Sequence, residues 1–277
     1  CIEVRTPSND TIILDMGTGL KRLGQKIVND SSYKKEVHIF LSHFHLDHIH
    51  GFVMFAPLFD ADYTIKIYSR KSGDKGLKDI LSQFLQPEIW PINLDDLPAK
   101  ISFIDIDESP IRIHHKVSIA NQLHAHPNKA YSISINSFDK KITYTTDCEH
   151  PKEKLNPNVV RFASDSDILI HDSQYTPDDL HSHIGWGHSS WEQAAEVAAE
   201  SGILALIFYL GFIIYPYIFY LKNNIYKESD HVFYLILIMI SVYIIDSMLN
   251  FPISRPVSHI FLVFMLIVFM KLREAND

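Results

Sequence analysis

The run Leu41-Ser42-His43-Phe44-His45-Leu46-Asp47-His48-Ile49-His50-Gly51 constrains this chain more than any other segment. It follows the apolar stretch Val37–Leu41, which places it on a loop at the C-terminal end of a strand. His43, His45, Asp47 and His48 offer imidazole nitrogen and carboxylate oxygen, the donors that borderline cations such as zinc take at about 2.0–2.2 Å. Four donors within six positions meet at one centre only on a tight loop that opens into a helix. A coincidental His-rich surface loop is the plain alternative, and the donors further along the chain count against it. The chain carries sixteen histidines, a high number that such a centre would account for.

Short β-branched or aromatic runs bounded by turn residues recur before Gly202. Strands are expected at Thr11–Leu14, Val37–Leu41, Thr64–Tyr68, Ile101–Ile104, Tyr131–Ile135, Lys141–Thr145 and Asp167–Ile170. Helices are expected at Leu20–Val28, Gly76–Leu85 and Trp191–Glu200, the last with Ser189 and Glu192 as a capping box and Gly202 as its stop. Many strands with few helices between them imply packed sheets covered by outer helices. Two later stretches supply further donors. Leu123-His124-Ala125-His126-Pro127 presents two histidines, and Thr145-Thr146-Asp147-Cys148-Glu149-His150 presents Asp147 just after a strand. His114 and His115 lie in an alternating strand pattern and read as surface residues, as do His38 and His181.

A formal net charge of −8 argues against a broad basic surface for long nucleic acid. Small anionic substrates stay compatible, because a metal centre brings its own positive charge. Two cysteines, Cys1 and Cys148, give no disulfide framework and fit a reducing compartment. The opening residues read as domain interior, without an export signal, so a domain lacking its natural N-terminus and residing in the cytoplasm is expected.

His43-x-His45-x-Asp47-His48 resembles the signature of the metallo-β-lactamase superfamily. Ile13-Leu14-Asp15-Met16-Gly17-Thr18-Gly19 resembles that family's early strand and glycine turn, whose aspartate orients the metal loop. The resemblance implies an α/β fold, an αββα sandwich over residues 1–202, with two divalent ions, zinc first and manganese or iron as alternatives. It points to His126 over His124 as the next ligand and to Asp147 as the bridging carboxylate. His43, His45 and His126 would hold one ion, Asp47 and His48 the other, with Asp147 shared. Asp47 and His188 are the expected catalytic residues. Paired ions would make water nucleophilic near neutral pH, since metal binding lowers its pKa to about 7.

Asp167-Ile168-Leu169-Ile170-His171-Asp172, followed by His183-Ile184-Gly185-Trp186-Gly187-His188-Ser189-Ser190-Trp191, resembles the phosphodiesterase branch that includes ribonuclease Z. There the histidine of a Gly-His-Ser/Thr motif assists the leaving group, which implies that role for His188. Histidine suits it, because it titrates near the operating pH. Packing of His188 beside Trp186 and Trp191 is the bland alternative, and Asp172, Tyr175 and Trp186 read equally well as structural. With no basic arm in view, a small cyclic or nucleotide-like phosphodiester is the expected substrate. Esters, thioesters and lactams are the other substrate class.

After Gly202 the texture changes. Ile203–Leu221 and Val232–Leu249 are each long enough to cross roughly 30 Å of hydrocarbon at 1.5 Å per residue, and Ile260–Leu272 is shorter. Two or three membrane helices are expected over 203–272, with buried core elements as the alternative. Tyr243–Pro256 resembles the C-terminal membrane part of O-antigen ligase-like proteins. The resemblance to the hydrolase family also implies a further strand at Ile203–Leu210 ending in a last histidine ligand near Tyr209–Gly211, and no histidine stands there. The expectation is therefore a fusion of two fragments in which the second ion, left with Asp47, His48 and Asp147, binds more weakly and catalysis is impaired. His150 or His171 could complete that site. Lys222, Lys227, Lys271 and Arg273 outweigh Arg255, and if all three runs cross, that would put the hydrolase domain outside, against its cytoplasmic chemistry.

Overall fold

The structure, a computed structural model, describes residues 1–201 apart from Ser72, Pro87, Glu88, Lys152 and Glu153. The chain divides into two compact units, Cys1–Ile203 and Leu204–Asp277. The second, with the expected membrane helices, the last strand and the position of the last ligand, lies outside the described residues. Among the described residues no helix is long and apolar enough to cross a membrane.

One sheet runs in the order β1 (Ile2–Arg5), β2 (Thr11–Leu14), β3 (Glu36–Phe40), β4 (Thr64–Ser69) and β5 (Lys100–Asp105). Its first pair is antiparallel and the other pairs are parallel. The second sheet holds β6 (Ile111–His114), β7 (Val117–His124), β8 (Ala130–Ser137), β9 (Lys140–Thr145) and β10 (Ile168–His171), with β10 parallel to β9 at one edge and antiparallel pairs elsewhere. The helices are α1 (Gly19–Asn29), α2 (Leu46–Ile49), α3 (Leu77–Phe84), α4 (Pro157–Ala163), α5 (Pro177–Leu180) and α6 (Trp191–Glu200).

Strand alternation sorts the apolar residues into layers. Ile13, Ile39 and Ile67 face one way and pack with Leu20 and Ile27 of α1 and Leu77 and Leu81 of α3. Their neighbours Ile12, Leu14 and Phe40 face the other sheet and meet Ile119, Ile133 and Ile135. On the far side, Val159 and Ala163 of α4 and Val197 of α6 close over Cys148 and Leu169. The result is the αββα layering expected from the sequence.

The seven strands expected before Gly202 all form, with ends shifted by no more than two residues. β7 is not among them, because its alternation breaks at Asn121, a buried amide that donates to the Asp107 carbonyl at 2.8 Å. His38 corrects the surface reading. A strand buried on both faces has no solvent side, and His38 lies buried between the sheets, 3.1 Å from the Tyr68 hydroxyl and 3.0 Å from Glu36. His114 is half-buried as well, held by Asp10 at 2.8 Å. The α6 capping box forms one residue later than expected, at Ser190 and Gln193, because the Ser189 hydroxyl is already committed to the Cys148 carbonyl.

The C-terminal ends of β2, β3, β7, β9 and β10 open on the loops that carry Asp15, His43–His48, His126, Asp147 and Asp172. Backbone bonds lock the first two loops together, Met16 N to His48 O at 2.7 Å and Gly51 N to Met16 O at 2.8 Å. The approach is so close that a Cβ at Gly51 would lie 2.1 Å from the Gly17 carbonyl oxygen.

Candidate metal centre

Two groups of donors share Asp147. His43, His45, His126 and Asp147 form one, Asp47, His48 and Asp147 the other, and within each group the donor atoms lie within 4.8 Å of one another. A tetrahedral cation with bonds of about 2.1 Å would set its donors about 3.4 Å apart. In the first group His43 Nε2 stands 3.5 Å and His126 Nε2 3.9 Å from Asp147 Oδ2, and His126 Nε2 stands 3.0 Å from His45 Nδ1. In the second, His48 Nε2 is 3.3 Å from both Asp47 Oδ2 and Asp147 Oδ2. His43 Nε2 is buried with no hydrogen-bond partner among the described residues. Native interiors rarely leave such an atom unmatched, so these residues fit a bound cation.

The charges tell the same story. Burial, with the charge on neighbouring His48, pushes His43 down to about 3, so its imidazole is a neutral donor. Burial opposes the charge on His48 too, but hydrogen bonds to Asp147 and Asp15 outweigh it and lift its pKa to about 10. Asp147 is held well below the usual carboxylate range, since His48 and the Thr146 hydroxyl override its burial. Carboxylates thus surround His48, and a proton there occupies a pocket of negative potential suited to a metal ion.

Each donor has its own support. Asp15, in the left-handed region at φ 60°, accepts from Ser42 N at 2.8 Å, from the Ser42 hydroxyl, from His48 Nδ1 at 2.8 Å and from the Tyr144 hydroxyl at 2.8 Å. His126 Nδ1 donates to the Gly187 carbonyl at 2.9 Å, which leaves Nε2 with its lone pair toward the other donors. Glu149 clamps the same loop by accepting from Gly185 N and Gly187 N at 2.7 and 2.8 Å. Gly187 has φ 86°, and a Cβ on it would fall 2.0 Å from His126 Nδ1. Gly187→Ala is therefore expected to displace that imidazole and weaken metal affinity about 10–100-fold. Competition against a zinc chelator would measure this, and unchanged affinity would remove His126 from the centre.

Beside His126, at a ring-centroid separation of 5.6 Å, stands His188. Its Nδ1 is 3.3 Å from Asp172 Oδ2, and the same oxygen accepts from Ser189 N at 2.7 Å. The aromatic neighbour of His188 is Tyr175, edge-on at 6.0 Å, rather than Trp186 or Trp191, which are both exposed.

The beta-lactamase superfamily domain model matches residues 11–209. The chain belongs to that family. Ribonuclease Z from Porphyromonas gingivalis is 22% identical over 241 residues, covering 70% of this chain and 77% of the relative. Among solved structures, the metallo-beta-lactamase fold protein YhfI from Bacillus subtilis superposes with a TM-score of 0.51 at 18% identity, covering 70% of this chain and 71% of that one. Human tRNase Z, short form, gives 0.52 at 16% identity, covering 72% and 80%. The domain is thus a metallo-β-lactamase-fold hydrolase with ribonuclease Z-like relatives.

Against the family pattern, the structure gathers His43, His45, Asp47, His48, His126 and Asp147 at one place and sets His124 apart. His124 is buried behind that edge, its Nδ1 2.9 Å from the Ser132 hydroxyl. His150 and His171 stack on each other at 5.4 Å and gather with Cys148, not with Asp47 and His48. Nothing in the sequence singles out Ser42, whose hydroxyl is 2.9 Å from Asp15 Oδ2 and 3.0 Å from His43 Nδ1, or Tyr144, which reaches the centre through Asp15. The sequence leaves the role of Asp172 open, a structural one being equally good, although an acid just after a strand is a signal of the same kind that marks Asp147.

Proposed function

We propose that this domain hydrolyses small phosphodiesters, cyclic or nucleotide-like, at the paired donor groups, with His188 as general acid. The observation that carries this reading is the Asp172–His188 pair beside His126. Divalent ions of the zinc class held by these donors would supply Lewis acidity and positive charge, and would make water nucleophilic near neutral pH. Among the described residues the first group has four donors and the second three, so a second ion would be the more weakly held.

The chain's own part is to hold and move a proton. With Nδ1 turned to Asp172, His188 keeps Nε2 to give a proton to a departing oxygen. Burial pushes the Asp172 carboxyl up, while the Ser189 amide and His188 pull against it. The name of the curated relatives, ribonuclease Z, denotes cleavage of RNA, itself a phosphodiester, and supports the same chemistry.

A general acid matters most when the leaving group is a poor one. His188→Ala is expected to slow hydrolysis of a nucleoside 2′,3′-cyclic phosphate about 10²–10⁴-fold. Its effect on bis(p-nitrophenyl) phosphate, whose leaving group departs without a proton, is expected to be much smaller. Metal content stays the same. Equal losses on both substrates would remove His188 from the acid role, and turnover of thioesters with none of phosphodiesters would replace the substrate class.

A further inference from the structure

A cavity of about 370 Å³ opens beside the donor groups. Its lining includes His43 and His45 together with Arg70, Lys71, Lys129 and Tyr131. In a chain of net charge −8, three cations around one cavity that reaches the reactive centre are a concentrated exception.

Arg70 follows directly on β4. Its guanidinium lies over the Tyr131 ring, 4.9 Å from the centroid, and its side chain is only 19% exposed. Nη1 is shut off from solvent and has no hydrogen-bond partner among the described residues. The carboxylate near it, Glu108, stands 3.7 Å from Nη2 on a side chain that is 84% exposed. A guanidinium cannot shed its charge, and a buried N–H without an acceptor is costly. Arg70 lines the cavity with only an exposed carboxylate, 3.7 Å away, to offset its charge.

Lys129 approaches from the opposite strand-end loop. Asn128 and Lys129 both adopt left-handed φ values, 66° and 68°, a conformation that non-glycine residues rarely take and that clusters at functional sites. The turn is tied to the centre by Lys129 N, which donates to the His126 carbonyl at 3.0 Å. Lys71 is engaged by Asp105 at 3.3 Å, so Arg70 and Lys129 are the pair left to meet a ligand.

We propose that Arg70 and Lys129 form a second anion subsite, one that binds a phosphate group of the substrate other than the phosphate being cut. This rests on the phosphodiesterase reading of the same centre. Arg70 presents a planar fork suited to two phosphate oxygens, and Lys129 adds a point charge. Tyr131 holds the fork in place by cation–π contact.

The test uses metal-loaded protein and two substrates, thymidine 5′-(p-nitrophenyl phosphate) with and without a 3′-phosphate. The wild type is expected to turn over the 3′-phosphorylated compound with a kcat/KM at least about tenfold higher, mostly through KM. Arg70→Gln brings the ratio of the two close to one, Lys129→Gln lowers it in part, and Arg70→Lys restores a part of it. A wild-type ratio near one, or a ratio untouched by Arg70→Gln, overturns the proposal.

Should neither compound be hydrolysed, the phosphodiesterase reading fails and calorimetric binding decides the subsite alone. Thymidine 3′,5′-bisphosphate should then bind about tenfold tighter than thymidine 5′-monophosphate in the wild type and not in Arg70→Gln. Equal binding in the wild type rejects the subsite. A thymidine trinucleotide added as a third ligand separates the sources. Tighter binding than the bisphosphate assigns the extra phosphate to a polynucleotide, and weaker binding to a small molecule.

Discussion

Replacing Asp147 with alanine is expected to disable both donor groups at once and to lower phosphodiester turnover by about 10³-fold or more. Asp147 Oδ2 is within 3.3–3.9 Å of His43, His48 and His126 Nε2, and among the described residues no other belongs to both groups. A thousandfold loss corresponds to about 4 kcal/mol of transition-state stabilisation, a modest demand on a carboxylate common to both donor groups. Zinc titration of the wild type should resolve two sites of unequal affinity, and the variant should show one weakened site at most. Retention of both sites with full turnover would dismantle the shared-carboxylate picture.

The metal-free protein offers a pH test of the same contact. His48 is raised to about 10 in the folded state from an ordinary value of 6.5. Its contribution to stability is complete below pH 6.5 and fades as pH climbs through 10. The melting temperature of metal-free wild type should therefore decline over that window. In Asp147→Ala, with one of the two main partners of His48 gone, the decline should be shallower.

The loop His43–His48 was legible because its donors are neighbours in the chain, and a local pattern survives whatever the tertiary structure does. His126 and Asp147 are different. Residue type and position narrowed them to a few candidates, and only likeness to a family chose among these, because what unites them is the meeting of strand ends far apart in sequence. Arg70 was invisible for the same reason. Nothing in Ser69-Arg70-Lys71 says that Tyr131 will lie beneath the guanidinium. His38 misled because a polar residue in a strand usually marks the wet face, and β3 has none. The capping box slipped by one because Ser189-Ser190 and Glu192-Gln193 satisfy the motif in two registers. Only the claim of the Cys148 carbonyl on Ser189 separates them.

Asp15→Ala should be the most damaging change that removes no donor of the two groups. The carboxylate is 2% exposed and serves the Ser42 amide and hydroxyl, His48 Nδ1 and the Tyr144 hydroxyl together. Burial drives the Tyr144 phenol far above its ordinary pKa, so it remains a neutral donor with a proton to place. Alanine would strand these donors and leave a charged His48 short of one of its anionic partners, a change that costs about 3–5 kcal/mol. For a domain of this size each kcal/mol shifts the melting temperature by about 2–4 °C, so a fall of about 6–20 °C is expected. Asp15→Asn separates stability from positioning. It keeps one acceptor and nearly the same shape, so it should fold, but its amide cannot accept from Ser42, His48 and Tyr144 all at once. His48 should then lose its fixed orientation, and affinity at the Asp47–His48–Asp147 group should fall about 10–100-fold while the His43–His45–His126 group is less affected. Equal loss at both groups would mean that Asp15 holds up the loop as a whole. No loss at either would mean that the hydrogen bond to His48 Nδ1 does not orient the imidazole, and that the loop keeps its shape through the backbone bonds of Met16 and Gly51 alone.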